Sequence, residues 1–304
     1  MCDTLYIIGN GFDIHHGIPS RYTDFYYWLV ENCDWDYDDV ESFFYVADMW
    51  SKLEENMASF DYEQYGVNVS GLSIPIAIIG PEGCIGYSEA QDRVDDRLIE
   101  WRTRMRKGLA KWVKTLSPQQ TCDKLPLKKG RAFYLTFNYT RTLEDLYKIP
   151  EENVLHIHGQ IGDEWQKLEL GHGGDVKEPS YNPEDVECQE NIMDNETQAL
   201  EQGFKAVSSW QKPVAEIIER QKDFWEKLTE VTSVYVFGFS FGEVDLPYIK
   251  KIAKRVSTIS QWYICYYASE EKEKLRRIAY ECGANNVEML SNMEFIKSDE
   301  IQRS

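Results

Sequence analysis

"LYIIGNGFDIHHGIPSRYTDF", residues 5–25, decides the fold. It opens as a short apolar run, Leu5–Ile8, meets Gly9 and Gly11, and passes through His15 and His16 into Gly17-Ile18-Pro19. A short apolar run that stops at glycine reads as a fully buried strand of a parallel sheet. Residues 3–9 are therefore predicted as a strand, and Thr23, Phe25, Trp28 and Leu29 predict a helix from about Tyr22 by cap and apolar stripe. Glycines placed directly after a strand let backbone amides approach a pyrophosphate. A sharp strand-to-helix turn also requires glycine, and G-x-G-x-x-G is not completed, because the next glycine is Gly17. Alone, this stretch leaves a phosphate loop and a plain turn both open.

The same rhythm returns further along. "RAFYLTFNY" (131–139) predicts a strand, "TRTLEDLY" a short helix and "NVLHIHG" (153–159) a strand, a unit of the size of a parallel crossover. "SVYVFGFS", "QWYICYYA" and "NVEML" predict three more strands, separated by the helical patterns "LPYIKKIAKRV" and "SEEKEKLRRIAYEC". Strands alternating with helices imply a doubly wound parallel sheet with its ligand at the carboxyl ends of the strands. Between the first two strands, 40–58 and 88–115 have helical periodicity, and "GVNVSGLSIPIAIIGPEG" (66–83) reads as a loop with one short extended piece. Residues 30–125 thus form a mostly helical insertion. Residues 160–195 read as a polar loop or lid, and 196–230 as helical.

Composition narrows the class. With 304 residues and 42% hydrophobic content the chain builds a sizeable core and is not disordered. Its net charge of −19 opposes nucleic-acid binding, and the basic stretch 102–114 reads as the solvated face of a helix preceded by Asp92, Asp95, Asp96 and Glu100. No apolar stretch approaches the roughly 20 residues that span a bilayer, and no basic region precedes the first apolar run. A cytoplasmic protein without a membrane partner is expected. The seven cysteines (2, 33, 84, 122, 188, 265 and 282) are scattered without a C-x-x-C pair, and read as reduced thiols rather than metal or redox ligands.

Four motifs fall at predicted strand ends. The first is Gly9–Asp13. The second is "TFNYTRTLE", where Asn138 either caps the next helix or faces a ligand. The third is "VLHIHG": on a strand His156 and His158 share one face, a pair without a third metal ligand unless His172 supplies it. His158, next to Gly159 at the strand end, suits a general base, and His156 suits the core. The fourth, "VFGFSFGEVD", contains Gly238-x-Ser240-x-Gly242, the pattern of a nucleophile elbow. Every histidine precedes Ser240, the reverse of the order in α/β hydrolases, so a Ser240 hydrolase is the third reading.

Together the motifs resemble the sirtuin family, whose Gly-Ala-Gly-Ile/Phe-Ser, three residues and Gly-Ile-Pro are matched in spacing by Gly9-Asn10-Gly11-Phe12-Asp13 and Gly17-Ile18-Pro19. The sirtuin Thr-Gln-Asn-Ile-Asp, His-Gly and late Gly-x-Ser are similar to Thr136–Thr140, His158-Gly159 and Gly238-Phe239-Ser240. More closely, "GNGFD...HGIP", "FNYTRTLE", "HIHG" and "GFSFGEVDLPY" resemble the bacterial AbiH family of phage abortive-infection proteins, grouped with sirtuin-like folds. The resemblance implies a Rossmann-like, sirtuin-like α/β domain over 1–304, interrupted at about 30–125 and 160–230. The zinc ribbon of sirtuin deacylases is missing, since 160–237 contain only Cys188. It therefore implies an antiviral NAD+ glycohydrolase, with NAD as substrate and no metal. Asn138 and His158 would be catalytic, and Gly9, Asn10, Gly11, Phe12, Asp13, Gly238, Ser240 and Asp245 would contact the nucleotide. Asp13 stands where a sirtuin has serine. The alternative is a non-catalytic nucleotide or ADP-ribose sensor on the same residues. A phage-derived trigger and a homo-oligomer are the further partners implied.

Overall fold

The computed structural model describes residues 3–33, 39–44, 48–71, 76–80, 83–87, 89–117, 124–128, 130–179 and 195–297. Their strands are β1 (Thr4–Ile8), β2 (Ile76–Gly80), β3 (Gly83–Tyr87), β4 (Ala132–Thr136), β5 (Val154–His156), β6 (Ser233–Phe237), β7 (Gln261–Tyr266) and β8 (Asn286–Ser291). Six form one sheet in the order β5-β4-β1-β6-β7-β8, every pairing parallel, while β2 and β3 form an antiparallel hairpin.

The sheet forms because its strands are apolar on both faces. In β1, Leu5 and Ile7 point one way and Tyr6 and Ile8 the other, and all four are fully buried. Leu5 and Ile7 pack with Leu135, Val234, Val236 and Trp262 under residues of the helices Val214–Arg220, Leu246–Ala253 and Lys272–Glu281. Tyr6 and Ile8 pack with Tyr134, Tyr235 and Phe237 under the helices Asn10–His15, Thr142–Tyr147 and Asn292–Lys297. On this second face Tyr134, Tyr6, Tyr235 and Tyr263 stack in register across four strands at 4.9, 5.2 and 4.8 Å. The chain leaves β1 towards β4 and β5, then returns to the opposite side of β1 as β6, so the strand order reverses between β1 and β6.

Two compact units result. Met1–Phe25, Leu109–Glu169 and Pro213–Ser304 form the unit with the sheet; Tyr26–Gly108 and Leu170–Lys212 form the second. In the second unit, Phe60, Tyr65, Trp101 and Trp210 build an aromatic core, and a buried ion pair joins Lys212 Nζ to Glu54 Oε1 at 2.7 Å.

Several sequence expectations change. The segment after Gly9 is no open loop, because the helix Asn10–His15 begins at once. Residues 40–58 do not make one helix: 3-10 turns at Asp39–Phe43, Met49–Lys52 and Met57–Ser59 flank a single helical turn, Leu53–Asn56. The stretch 66–83 begins inside a helix, Tyr62–Gly71, and its apolar part pairs with 83–87 as the β2–β3 hairpin. Strand β5 ends at His156, so His156 and His158 do not share a strand face. Part of the predicted lid, 180–194, lies outside the described residues, as do Cys2, Cys122 and Cys188. Cys33, Cys265 and Cys282 are free thiols. No described helix is long and apolar enough to cross a membrane.

Candidate functional site

The three glycines of the first and fourth motifs meet each other. Gly9 N–H donates to Phe237 O at 3.0 Å and Gly11 N–H to Gly238 O at 2.8 Å. A Cβ on Gly9 would stand 2.4 Å from Gly238 O, and one on Gly11 2.6 Å from Gly238 Cα. Gly238 has φ +64, and a Cβ there would stand 2.4 Å from Phe12 N. These glycines let the end of β1 lie against the end of β6, and two amides expected to face a pyrophosphate already have protein acceptors. Phe12 is 1% exposed and turns into the core against Phe237 and Tyr147. Asn10 is tied to Ser20, donating to its carbonyl at 3.0 Å and accepting from its hydroxyl at 2.5 Å.

The helix Asn10–His15 presents two faces to two cavities. Asn10 and Asp13, three residues apart, line a cavity of about 80 Å³ with Ser20, Phe137, Asn138 and Thr140. Gly11, Ile14 and His15 line one of about 460 Å³ with Arg21, Phe237, Gly238, Cys265, Tyr267 and Asn292. Both open at the carboxyl ends of the sheet strands, the larger at the β1–β6 reversal, where open α/β sheets bind ligands.

Around the small cavity the polar groups are interlocked. Asp13, 1% exposed, accepts from Thr140 Oγ1 at 2.6 Å on one carboxylate oxygen and from Thr142 Oγ1 at 2.9 Å on the other. Asn138 Nδ2 donates to Gly9 O at 3.2 Å, clamping the end of β4 to that of β1. Burial pushes the Asp13 carboxyl up to about 6, against the hydrogen bonds from Thr140, Thr142 and Asn138 and the nearby His156 ring. His156 lies behind Asn138, its Nδ1 3.0 Å from the Asn138 carbonyl and its Nε2 2.9 Å from Glu144 Oε1. Burial works to raise the Glu144 carboxyl, but the hydrogen bond and charge of His156 hold it below its ordinary value.

His158 takes another direction. Its ring stands edge-on to Phe137 and Tyr248 on the opposite side of the sheet from the helix that carries Glu144, and Nε2 is 3.3 Å from Asp245 Oδ1. The Asp245 side chain makes no capping hydrogen bond to the helix it precedes and stands against the histidine. His158 is 3% exposed and lines neither cavity; Phe137, which it touches, lines the smaller. Thus the structure gathers Asp13, Asn138 and the three glycines, and pairs His158 with Asp245 apart from them.

Ser240 is exposed between the buried Phe239 and Phe241, and Phe241 carries the positive φ of 55. A 3-10 turn, Glu243–Asp245, follows, where a nucleophile elbow would lead directly into a helix. His172 belongs to the second unit, its ring nitrogens 3.1 and 3.0 Å from the carbonyls of Gly174 and Val207. His16 is 0% exposed and bridges Phe12 O and the Tyr147 hydroxyl at 2.6 and 2.8 Å. Among the described residues no three His, Cys, Asp or Glu side chains converge as metal ligands. Thr140, Thr142, Glu144, His15, Arg21, Tyr267 and Asn292 were not singled out by sequence. Tyr267 falls inside the predicted strand "QWYICYYA" but just past the end of β7 at Tyr266, and Asn292 directly follows β8, so the signal available was the carboxyl ends of these two strands.

A family model described as bacteriophage abortive infection AbiH matches residues 5–266. No curated protein and no solved structure matches the chain.

Proposed function

The chain belongs to the bacteriophage abortive infection AbiH family, and from that premise we propose that it is an antiphage effector that binds NAD+ and cleaves its nicotinamide–ribose bond. The observation that carries the reading is the pair of cavities that share the helix Asn10–His15 as a wall, one of them lined also by Asn138. A dinucleotide needs two adjoining subsites of unequal size, with the reacting centre at one. Further support comes from the strand order, which is that of doubly wound, Rossmann-like dinucleotide folds. The sirtuin likeness of the four motifs agrees with it.

Cleavage passes through an oxocarbenium-like state, so the ribose must be held and a water aligned on its free face. Asn138 is fixed for that task by its bond to Gly9 O and by the grip of His156 on its own carbonyl. In the larger cavity Arg21 and His15 offer the polar contacts for phosphate and ribose that the bonded amides of Gly9 and Gly11 do not. NAD is the substrate of this reading, and no metal takes part. A phage-derived trigger and self-association complete it, Tyr27 and Val30 being exposed apolar residues on the helix Tyr22–Asn32.

NAD+ consumption by the purified protein, and in infected cells expressing it, tests the proposal. Wild type is expected to deplete NAD+, and Asn138→Ala to leave it intact. If wild type, Asn138→Ala and His158→Ala all spare NAD+ while protection against phage persists, cleavage is not the function. The burial of His158 favours a second reading, a sensor that binds NAD+ or ADP-ribose without turnover. Calorimetric binding without consumption in infected cells would select it.

A further inference from the structure

Three observations converge on one carboxylate. Among the described residues, Asp13 is the acidic one on the wall of the small cavity, which Asn138 also lines. Each of its oxygens is fixed by a different threonine hydroxyl, at 2.6 and 2.9 Å, and a carboxylate oxygen accepts more than one hydrogen bond. His158, the base suggested by the resemblance, lines neither cavity and is turned to Asp245 at 3.3 Å.

We propose that Asp13 is the proton acceptor of this site, taking the proton from the water that attacks the ribose. The inference rests on the NAD-cleaving reading. The cavity of about 80 Å³ has the volume of roughly two to three waters, enough for the nucleophile beside the ribose edge. In the step, the water oxygen bonds to C1′ as the C1′–N1 bond breaks. The electron pair of that bond passes to the pyridinium nitrogen, which departs as neutral nicotinamide. The water proton moves to Asp13 and then to solvent. The balance is NAD+ plus water giving nicotinamide, ADP-ribose and one proton.

The environment suits the task. Burial pushes Asp13 up to about 6, so the group is ionised at neutral pH yet basic enough to accept a proton. The charge that bears on it is that of His156, itself paired with Glu144; Tyr22 and Tyr139 line the same cavity, while His15 lines the other one and His16 turns to Phe12 O and the Tyr147 hydroxyl.

Steady-state kinetics of NAD+ hydrolysis between pH 4.5 and 8 test the assignment, with activator present wherever resting protein is silent. Asp13→Asn should lower kcat by roughly 100-fold or more while NAD+ affinity by calorimetry stays within about threefold. Thr140→Val removes the donor at 2.6 Å, destabilises the carboxylate, and should move the acid limb of the pH profile upward while the plateau persists. Turnover by Asp13→Asn within about tenfold of wild type, equal loss of affinity and rate, or an unmoved limb in Thr140→Val overturns the assignment. If wild type cleaves NAD+ and only His158→Ala abolishes it, the assignment alone falls. If wild type leaves NAD+ intact in infected cells, the cleavage reading falls and takes the assignment with it.

Discussion

Asp13 shows how far a single residue can be read. Sequence spacing places it where a sirtuin has serine, and a carboxylate buried beside an anionic ligand is costly unless it is hydrogen-bonded. What spacing did not reveal is that Thr140 and Thr142, more than a hundred positions away, supply the hydroxyls that make its burial tolerable. The consequence for stability has a definite sign. The folded chain holds the Asp13 proton more tightly than an ordinary carboxyl of 3.8, releasing it at about 6. Its contribution is therefore fully present below about pH 4 and is lost as pH rises through about 6. That rise corresponds to on the order of 3 kcal/mol. Asp13→Asn stays neutral throughout, so its stability relative to wild type should climb across this window. Urea unfolding of both proteins at pH 4, 5, 6 and 7 measures it, and parallel curves would remove the buried carboxylate from the account.

At the scale of elements, Gly9, Gly11 and Gly238 join two strand ends. The crowding is backbone on backbone, so a side chain has nowhere to go. Gly238→Ala adds a left-handed φ of +64 to a 2.4 Å approach to Phe12 N. It should destabilise the fold by about 1–3 kcal/mol, and lower the melting temperature with or without NAD+. A glycine kept only for a phosphate would instead lose affinity at unchanged stability. The same ambiguity of glycine explains where the sequence was legible and where it was not. The sheet strands could be read because burial on both faces makes them continuous apolar runs. The helix Tyr62–Gly71 was hidden because Gly66 looked like a breaker. In the second unit a Cβ on Gly66 would lie 3.3 Å from the backbone of Ala199, and one on Gly203 3.0 Å from Tyr62, so these glycines permit close helix packing and do not end a helix. Alternation carried past His156, where β5 stops, puts His156 and His158 on one strand face.

For the molecule as a whole, the unit with the sheet carries both cavities, and the helix Asn10–His15 lines each of them. The larger cavity draws on the ends of β6, β7 and β8, and its walls include the exposed side chains of Arg21 and Tyr267. Tyr267 is 89% exposed, so truncating it removes little that holds the fold together. Under the NAD-cleaving proposal, groups there touch the part of the dinucleotide that does not react, and such contacts act on ground state and transition state alike. Under the same proposal, groups at the smaller cavity touch the reacting ribose. Arg21→Ala and Tyr267→Ala should therefore raise KM by roughly tenfold each with kcat nearly unchanged, and keep the wild-type melting temperature. Asn138→Ala should lower kcat with KM nearly unchanged. Nicotinamide release by each variant over a range of NAD+ concentrations separates the two effects. If Tyr267→Ala lowers kcat and Asn138→Ala raises KM, the reacting ribose lies in the larger cavity, and the division of labour across the helix runs the other way.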